Sequence, residues 1–499
     1  METAIVLNEK GGQMDTKSSE SIFPIEGWVL FVKQDCETCV MIEPVVGKVI
    51  ESGHPITIYT QDNPNFMSKF LPQDDTNLEH SFNYNIKITP TLIRFSKSTE
   101  QIRIEGWCRE DWCKAFGLEN LGIDLPYFRP GCGSKSLDPG VYERLFAKYG
   151  NPDFEARQIE VGEWDDDIEA CYDRGWSDGL PVTPPTDARV IAMLMGTKRD
   201  PKEVIGEVPP NLAPITIEKI AINAVLAGCK PEYLPVVISA LEAALDPIFT
   251  MHGLLCTTCF SSPIIIVNGP IAKSIGMNWG VNALGQGNRA NATIGRALQL
   301  IIRNVGGGVP GDLDRSTLGG PGKFTFCFAE DETDDTWEPL SKARGFESGQ
   351  NTVTLFQGDG IQGVIDQRSK TPDTMIKSLS MSLLAVGHPK LAEFTNALLI
   401  LSHEHYAIFR KAGWGRSQIT DELHKAMIRP GKDLIYGAQG VGEGISTDRA
   451  EEDVNKFWPE GLVIVRAGAK AGLFSAICAG WTGGRFRYES QTVTKEITI

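Results

Sequence analysis

The strongest constraint on this chain is the run WVLFVKQDCETCVMIEPVVGKVIESG, residues 28–53. Five apolar residues of strand character, Trp28 to Val32, lead through a short polar turn to Cys36 and Cys39, and the apolar positions that follow recur at helical spacing until Gly53. A strand that delivers a Cys-x-x-Cys pair to the start of a helix favours specific chemistry. Unpaired amides and the macrodipole at a helix N-terminus favour thiolate over thiol at Cys36, and Cys39, one turn on, is placed to attack a mixed disulfide. Pro44 stands inside the helical pattern, five residues after Cys39.

Downstream, ITIYTQD, TLIRF and QIRIEGW read as further strands and REDWCKAFG as a closing helix. CETCVMIEPVV resembles the active-site helix of the thioredoxin family, its proline included, and ITPTLIRF resembles the cis-proline segment of that family. The resemblance covers roughly residues 24–118. It implies a thioredoxin-like fold, Cys36 as nucleophile, Cys39 as resolving thiol, and a cis bond between Thr89 and Pro90, with these two residues contacting substrate beside the dithiol.

The departures from that pattern carry expectations of their own. Asp35 replaces the tryptophan before the first cysteine, and Glu37 and Thr38 replace Gly-Pro, so two carboxylates beside Cys36 are expected to oppose its thiolate. Leu30 stands where the family has a buried aspartate, which removes the proton acceptor for the resolving thiol. A dedicated reductase is therefore expected rather than a general one. The competing account is a structural pair or half a zinc site, for which this stretch offers no second Cys-x-x-Cys or histidine pair. Cys108 and Cys113 are spaced as core or surface thiols. Cys132, in the glycine turn RPGCGSKS, is expected as a loop cysteine without a role, although a third thiol there could exchange with Cys36.

At 499 residues the chain exceeds one ordinary domain. Residues 1–23 are expected to be a mobile polar tail, 24–120 the thioredoxin-like domain, 121–164 a proline- and glycine-punctuated connector, and 165–499 an α/β catalytic domain. Within the last, helices are predicted at 187–196, 215–228, 232–245, 289–304, 389–412 and 417–427. Strands are predicted at PIIIVNG, KFTFCFAE, TVTLFQ and GLVIVRAG, and this alternation argues for the α/β class. Apolar residues at 41% and charged residues at 22% are those of a soluble globular chain. A net charge of −16 makes nucleic acid and membrane surfaces poor partners. The N-terminus reads as neither signal peptide nor anchor, and eleven cysteines without a disulfide framework fit a reducing cytoplasm.

RGWSDGLPVTPPTDARV, VNGPI, NRANATIGRAL, DLDRSTLGGPGKFTFCFAED and AGWTGG resemble an uncharacterised bacterial protein family across most of residues 160–499. That resemblance carries no activity. In GQGNRANATIGRALQL, the residues Asn288, Arg289 and Asn291 open a helix and read either as an anion pocket or as a polar helix cap. In GDLDRSTLGGPGKF, Arg315 and Lys323 are candidates to reach a substrate, with an internal ion-pair network as the rival account. In SHEHYAIF, His405 is the candidate acid–base residue. In MHGLLCTTCFSS, His252, Cys256 and Cys259 form the alternative metal set. These two cysteines resemble the metal claw of nitrile hydratases, but that motif needs a third cysteine where Phe260 and Ser261 stand.

The expected activity is thus a thiol-dependent oxidoreduction, in which the Cys36–Cys39 pair serves a fused domain that binds a small anionic substrate. A thiol reductant is the expected electron source and a homo-oligomer the expected assembly, and no cofactor is assigned beyond a redox-active disulfide. The alternatives are a hydrolase or lyase, metal-dependent or not, built on the histidines and acids of the large domain, and a redox-regulated scaffold without catalysis.

Overall fold

The computed structural model describes residues 5–8, 26–162, 165–393, 395–481 and 491–499. They fall into two compact units. One holds residues 26–154 with Asp187–Ala192, and the other holds Ile5–Asn8, Glu155–Thr186 and Met193–Ile499.

The smaller unit is built on a five-stranded mixed sheet. Its order is Gln73–Asp74, Ile56–Thr60, Glu26–Val32, Thr91–Ser96, Thr99–Glu105; the first three strands are parallel and the last two run antiparallel. The central strand is apolar at consecutive positions because both of its faces are covered. Trp28, Leu30 and Val32 pack with Cys36, Cys39, Ile42, Val45, Val46 and Val49, whereas Val29 and Phe31 pack with Tyr84, Ile86, Ile93 and Phe95. The helix that supplies the first group is Glu37–Glu51, with Pro44 in its interior. The Thr89–Pro90 peptide is cis.

Residues 121–154, expected as part of a connector, belong to this unit. Cys132–Gly133 pair antiparallel with Ile88–Thr89, and the helix Val141–Tyr149 places Tyr142, Phe146 and Tyr149 around the ring of Phe82. Most of the expected tail, 1–23, lies outside the described residues. Ile5–Asn8, however, form a strand parallel to Arg157–Glu160.

The larger unit carries a seven-stranded mixed sheet. Its path runs Cys327–Ala329, Ser262–Asn268, Thr352–Ile365, Phe474–Gly480, Thr395–Leu401, Phe457–Arg466, with Val493–Glu496 paired to Thr352–Ile365. Predicted helices appear at Ile217–Ala227, Leu234–Leu245, Arg289–Asn304 and Arg416–Ala426. The first two are buried almost all round, as their continuous apolar sequences require. Glu218 sits inside the first with 1% exposure because its carboxylate accepts the amides of Glu155 and Ala156 at 3.0 and 2.9 Å. Among the described residues, no single helix is long and apolar enough to cross a membrane.

One predicted helix does not form as expected. The helix predicted over 389–412 is a strand, Thr395–Leu401, followed by a separate helix, His403–Lys411, capped by the Ser402 hydroxyl. A short apolar run such as NALLIL suits a two-sided buried strand as well as a buried helix, and periodicity cannot separate the two. Ala397, Leu399 and Leu401 enter one core and Leu398 and Ile400 the other.

Lys456 closes this unit internally. The residue is 2% exposed, and its ammonium donates to the carbonyls of Val386, His388 and Leu391 at 2.8, 2.8 and 3.0 Å. Lys456→Met keeps the apolar stem and strands three acceptors, so denaturant unfolding of this unit is expected to lose about 3 kcal/mol. A loss below about 1 kcal/mol would show that water reaches these carbonyls.

Candidate functional site

Cys36 is the N-cap of the helix Glu37–Glu51, in extended backbone, and its sulfur accepts the Cys39 amide at 3.3 Å. As a thiol it donates to the Thr89 carbonyl at 3.3 Å. The turn before it is shaped by Asp62, whose two carboxylate oxygens accept the amides of Gln34 and Asp35 at 2.7 and 2.8 Å. Cys36 is pulled down to about 5, first by the hydrogen bond from the Cys39 side chain and then by the Cys39 amide and by Cys132, against the desolvation that opposes it. Burial pushes the Cys39 thiol far up, and the neighbouring Cys36 adds to the shift. The pair is thus divided into a thiolate and a thiol.

The expected opposition from Asp35 and Glu37 does not decide the outcome. Glu37 points to solvent and ion-pairs with Arg129, and donors aimed directly at the sulfur outweigh charges held in water. Leu30 lies in the apolar cluster around both cysteines, so no carboxylate adjoins Cys39 at that position. The buried Asp75 of this unit is occupied by Ser81 and the His80 amide.

Sequence reading missed the cover over this site. Cys36 has 3% exposure and Cys39 none, because residues 128–134 lie across the helix N-terminus as a strap. Thr38 donates from its hydroxyl to the Pro130 carbonyl at 2.7 Å, and Arg129 holds Glu37. Gly131 is required by the closeness of the strap: a Cβ there would meet Ile88 Cγ2 at 2.3 Å and the Thr89 oxygen at 2.5 Å. Beyond Cys132, Ser134 is fixed by its amide to the Lys87 carbonyl at 2.9 Å and by Gln61 Nε2 to its hydroxyl at 2.7 Å. The signal for this cover was the Pro-Gly-Cys-Gly turn itself, whose small residues permit close backbone approach.

The residues expected to bind substrate in the larger unit do not converge. Asn288 caps its helix and Asn291 is buried, bonded to Asn278 and Ala283, so both serve the helix-cap account. Arg289 bonds the Gly228 carbonyl, and Arg315 is exposed with its amide on the Leu255 carbonyl. His405 is fully buried: Nε2 donates to the Asp366 carbonyl at 3.0 Å and Nδ1 meets the Ser475 hydroxyl at 2.7 Å. Both of its ring nitrogens thus have partners. His252 and Cys256 are exposed and Cys259 half-buried, and among the described residues no three His, Cys, Asp or Glu side chains gather as a metal site.

Lys323 lines a cavity of about 280 Å³ together with Asp178, Ser261, Gln299, Arg303 and Asp314. Lys323 is paired with Asp314 at 2.7 Å, and Arg303 brings a buried Nε without a hydrogen-bond partner among the described residues. A guanidinium and an ammonium at one cavity wall suit an anionic group. At its edge the Ser261 hydroxyl donates to Asp359, whose carboxyl is pushed up by burial, and Cys259 lies 3.3 Å from the Ser261 oxygen.

No protein-family model matches this chain, and no curated protein matches it.

Two outcomes are expected from the geometry. Absorbance of reduced protein at 240 nm should titrate with a midpoint near pH 5 and lose that step in Cys36→Ser; a first midpoint above 8 would mean that the donors do not reach the sulfur. Thr38→Val removes one strap hydrogen bond worth about 1 kcal/mol, so alkylation of Cys36, followed by peptide mapping, should quicken about fivefold. An unchanged rate would place the closing contact elsewhere.

Proposed function

We propose that this protein is a thiol–disulfide oxidoreductase, in which a thioredoxin-like smaller unit carries the dithiol Cys36 and Cys39 and the larger unit binds a small anionic molecule. The single observation that carries the reading is the Cys36 sulfur at the helix N-terminus, stabilised as thiolate by the Cys39 thiol and amide. Three parallel strands followed by an antiparallel hairpin, with the dithiol directly after the central strand, support the thioredoxin-like assignment.

In the chemistry proposed, Cys36 thiolate attacks a disulfide sulfur and releases one thiolate, and Cys39 then attacks Cys36 and releases the second. The protein gains a Cys36–Cys39 disulfide and the substrate leaves as two thiols; an external thiol reductant restores the pair. Joining both units in one chain raises the effective concentration of the dithiol near whatever the larger unit binds. All eleven cysteines are free, in keeping with a reducing, cytoplasmic setting. Arg303 and Lys323 at the larger unit's cavity support an anionic substrate. A hydrolase reading has one observation of its own, the Ser475 hydroxyl at a second cavity, 2.7 Å from His405 Nδ1.

Equilibration with glutathione at graded reduced-to-oxidised ratios, followed by alkylation and mass spectrometry, tests the proposal. A Cys36–Cys39 disulfide forming in one transition is expected, and it should be abolished by Cys36→Ser. Absence of that disulfide at every ratio, in protein that keeps its fold, would refute it.

A further inference from the structure

A dithiol that exchanges with external disulfides needs one sulfur that solvent can reach. With the strap closed, Cys36 and Cys39 meet that need poorly, at 3% and 0% exposure. Cys132 is half-exposed and belongs to the strap that covers them.

Its placement is set by backbone pairing. Cys132 sits directly opposite Thr89 in the short antiparallel bridge, and Thr89 is the residue whose carbonyl stands 3.3 Å from Cys36 Sγ. The bridge is held on both sides, by Thr38 to Pro130 before it and by Gln61 and Lys87 to Ser134 after it. Cys132 packs against the same apolar cluster that contains Cys36 and Cys39. It is also one of the groups that hold the Cys36 thiol down. The apolar cluster therefore brings together three thiols, Cys36 and Cys39 buried and Cys132 half-buried.

We infer that Cys132 is the thiol through which the buried pair exchanges with low-molecular-weight disulfides, by way of a Cys36–Cys132 disulfide. The inference rests on the oxidoreductase reading of Cys36 and Cys39. The oxidant is a small disulfide, RSSR. The Cys132 sulfur attacks RSSR, forming a Cys132–SR bond as the S–S bond breaks, and the departing RS⁻ takes the Cys132 proton. Cys36 thiolate then attacks Cys132 Sγ, forms the Cys36–Cys132 bond and expels the second RS⁻, which is protonated by solvent. Finally Cys39 attacks Cys36 Sγ, forming the Cys36–Cys39 bond, and its proton goes to the departing Cys132 thiolate. Two protein thiols are oxidised, one disulfide is reduced, and Cys132 is regenerated. The last transfer supplies the proton acceptor that Leu30 cannot provide.

Full-length reduced protein mixed with glutathione disulfide tests this. In Cys132→Ser, the rate of forming the Cys36–Cys39 disulfide should fall at least about tenfold, although the disulfide still forms at equilibrium. In Cys39→Ser, with Cys132 intact, the final step is blocked, and a peptide cross-linked through Cys36 and Cys132 should accumulate. A wild-type rate in folded Cys132→Ser overturns the inference, as does Cys39→Ser protein that keeps glutathione on Cys36 instead of the internal cross-link. Both of those results leave the oxidoreductase reading standing. Failure of the wild-type chain to form any Cys36–Cys39 disulfide removes that reading and this inference together.

Discussion

The contact on which the smaller unit depends is the 3.3 Å approach of the Cys39 amide to the Cys36 sulfur. It caps a fifteen-residue helix with a sulfur in place of the usual oxygen, so the same atom that ends the backbone pattern is the reactive one. Folding and reactivity are tied as a result. The helix needs an acceptor at that position, and the acceptor is best when it carries negative charge. The apolar packing of Ile42, Val46 and Val49 beneath it keeps the helix pressed to the sheet, and so keeps the amides aimed at Cys36.

The strap adds a second constraint. Burial alone disfavours a thiolate, and at Cys36 it does oppose the charged form. The strap excludes water from the sulfur while bringing a donor in Cys132, so the cover partly offsets the penalty it creates. Thr38 is informative here, because it occupies a position between the two cysteines and spends its hydroxyl on the strap rather than on the thiols.

Much of this was legible in the sequence, for local reasons. Strand, dithiol and helix are contiguous, and the apolar pattern of WVLFV and the cap position of Cys36 depend on neighbours in the chain. What the sequence concealed were matters of distant contact. Nothing near Cys132 says that it pairs with Thr89, and nothing near His405 says that Ser475 and Asp366 will occupy both of its nitrogens. Charged and polar residues on glycine-rich loops looked alike as candidates. Only packing separated Lys323, which faces a cavity, from Arg315, which faces solvent, and Asn291, which is spent on loop carbonyls. Arg303 was missed because a basic residue near a helix end reads as an ordinary partner of the helix dipole.

The strand Thr395–Leu401 has a consequence for how the larger sheet finds its alignment. Its side chains are apolar on both faces, so sliding it by one residue would exchange one greasy surface for another at little cost in buried area. Hydrophobic pattern therefore does not set the register of this strand; its polar ends do. At one end Asn396 accepts the Trp458 indole, and at the other the Ser402 amide and the His405 ring converge on the hydroxyl of Ser475. These groups act as a ruler laid along a featureless strip. The His405 ring is one of its graduations.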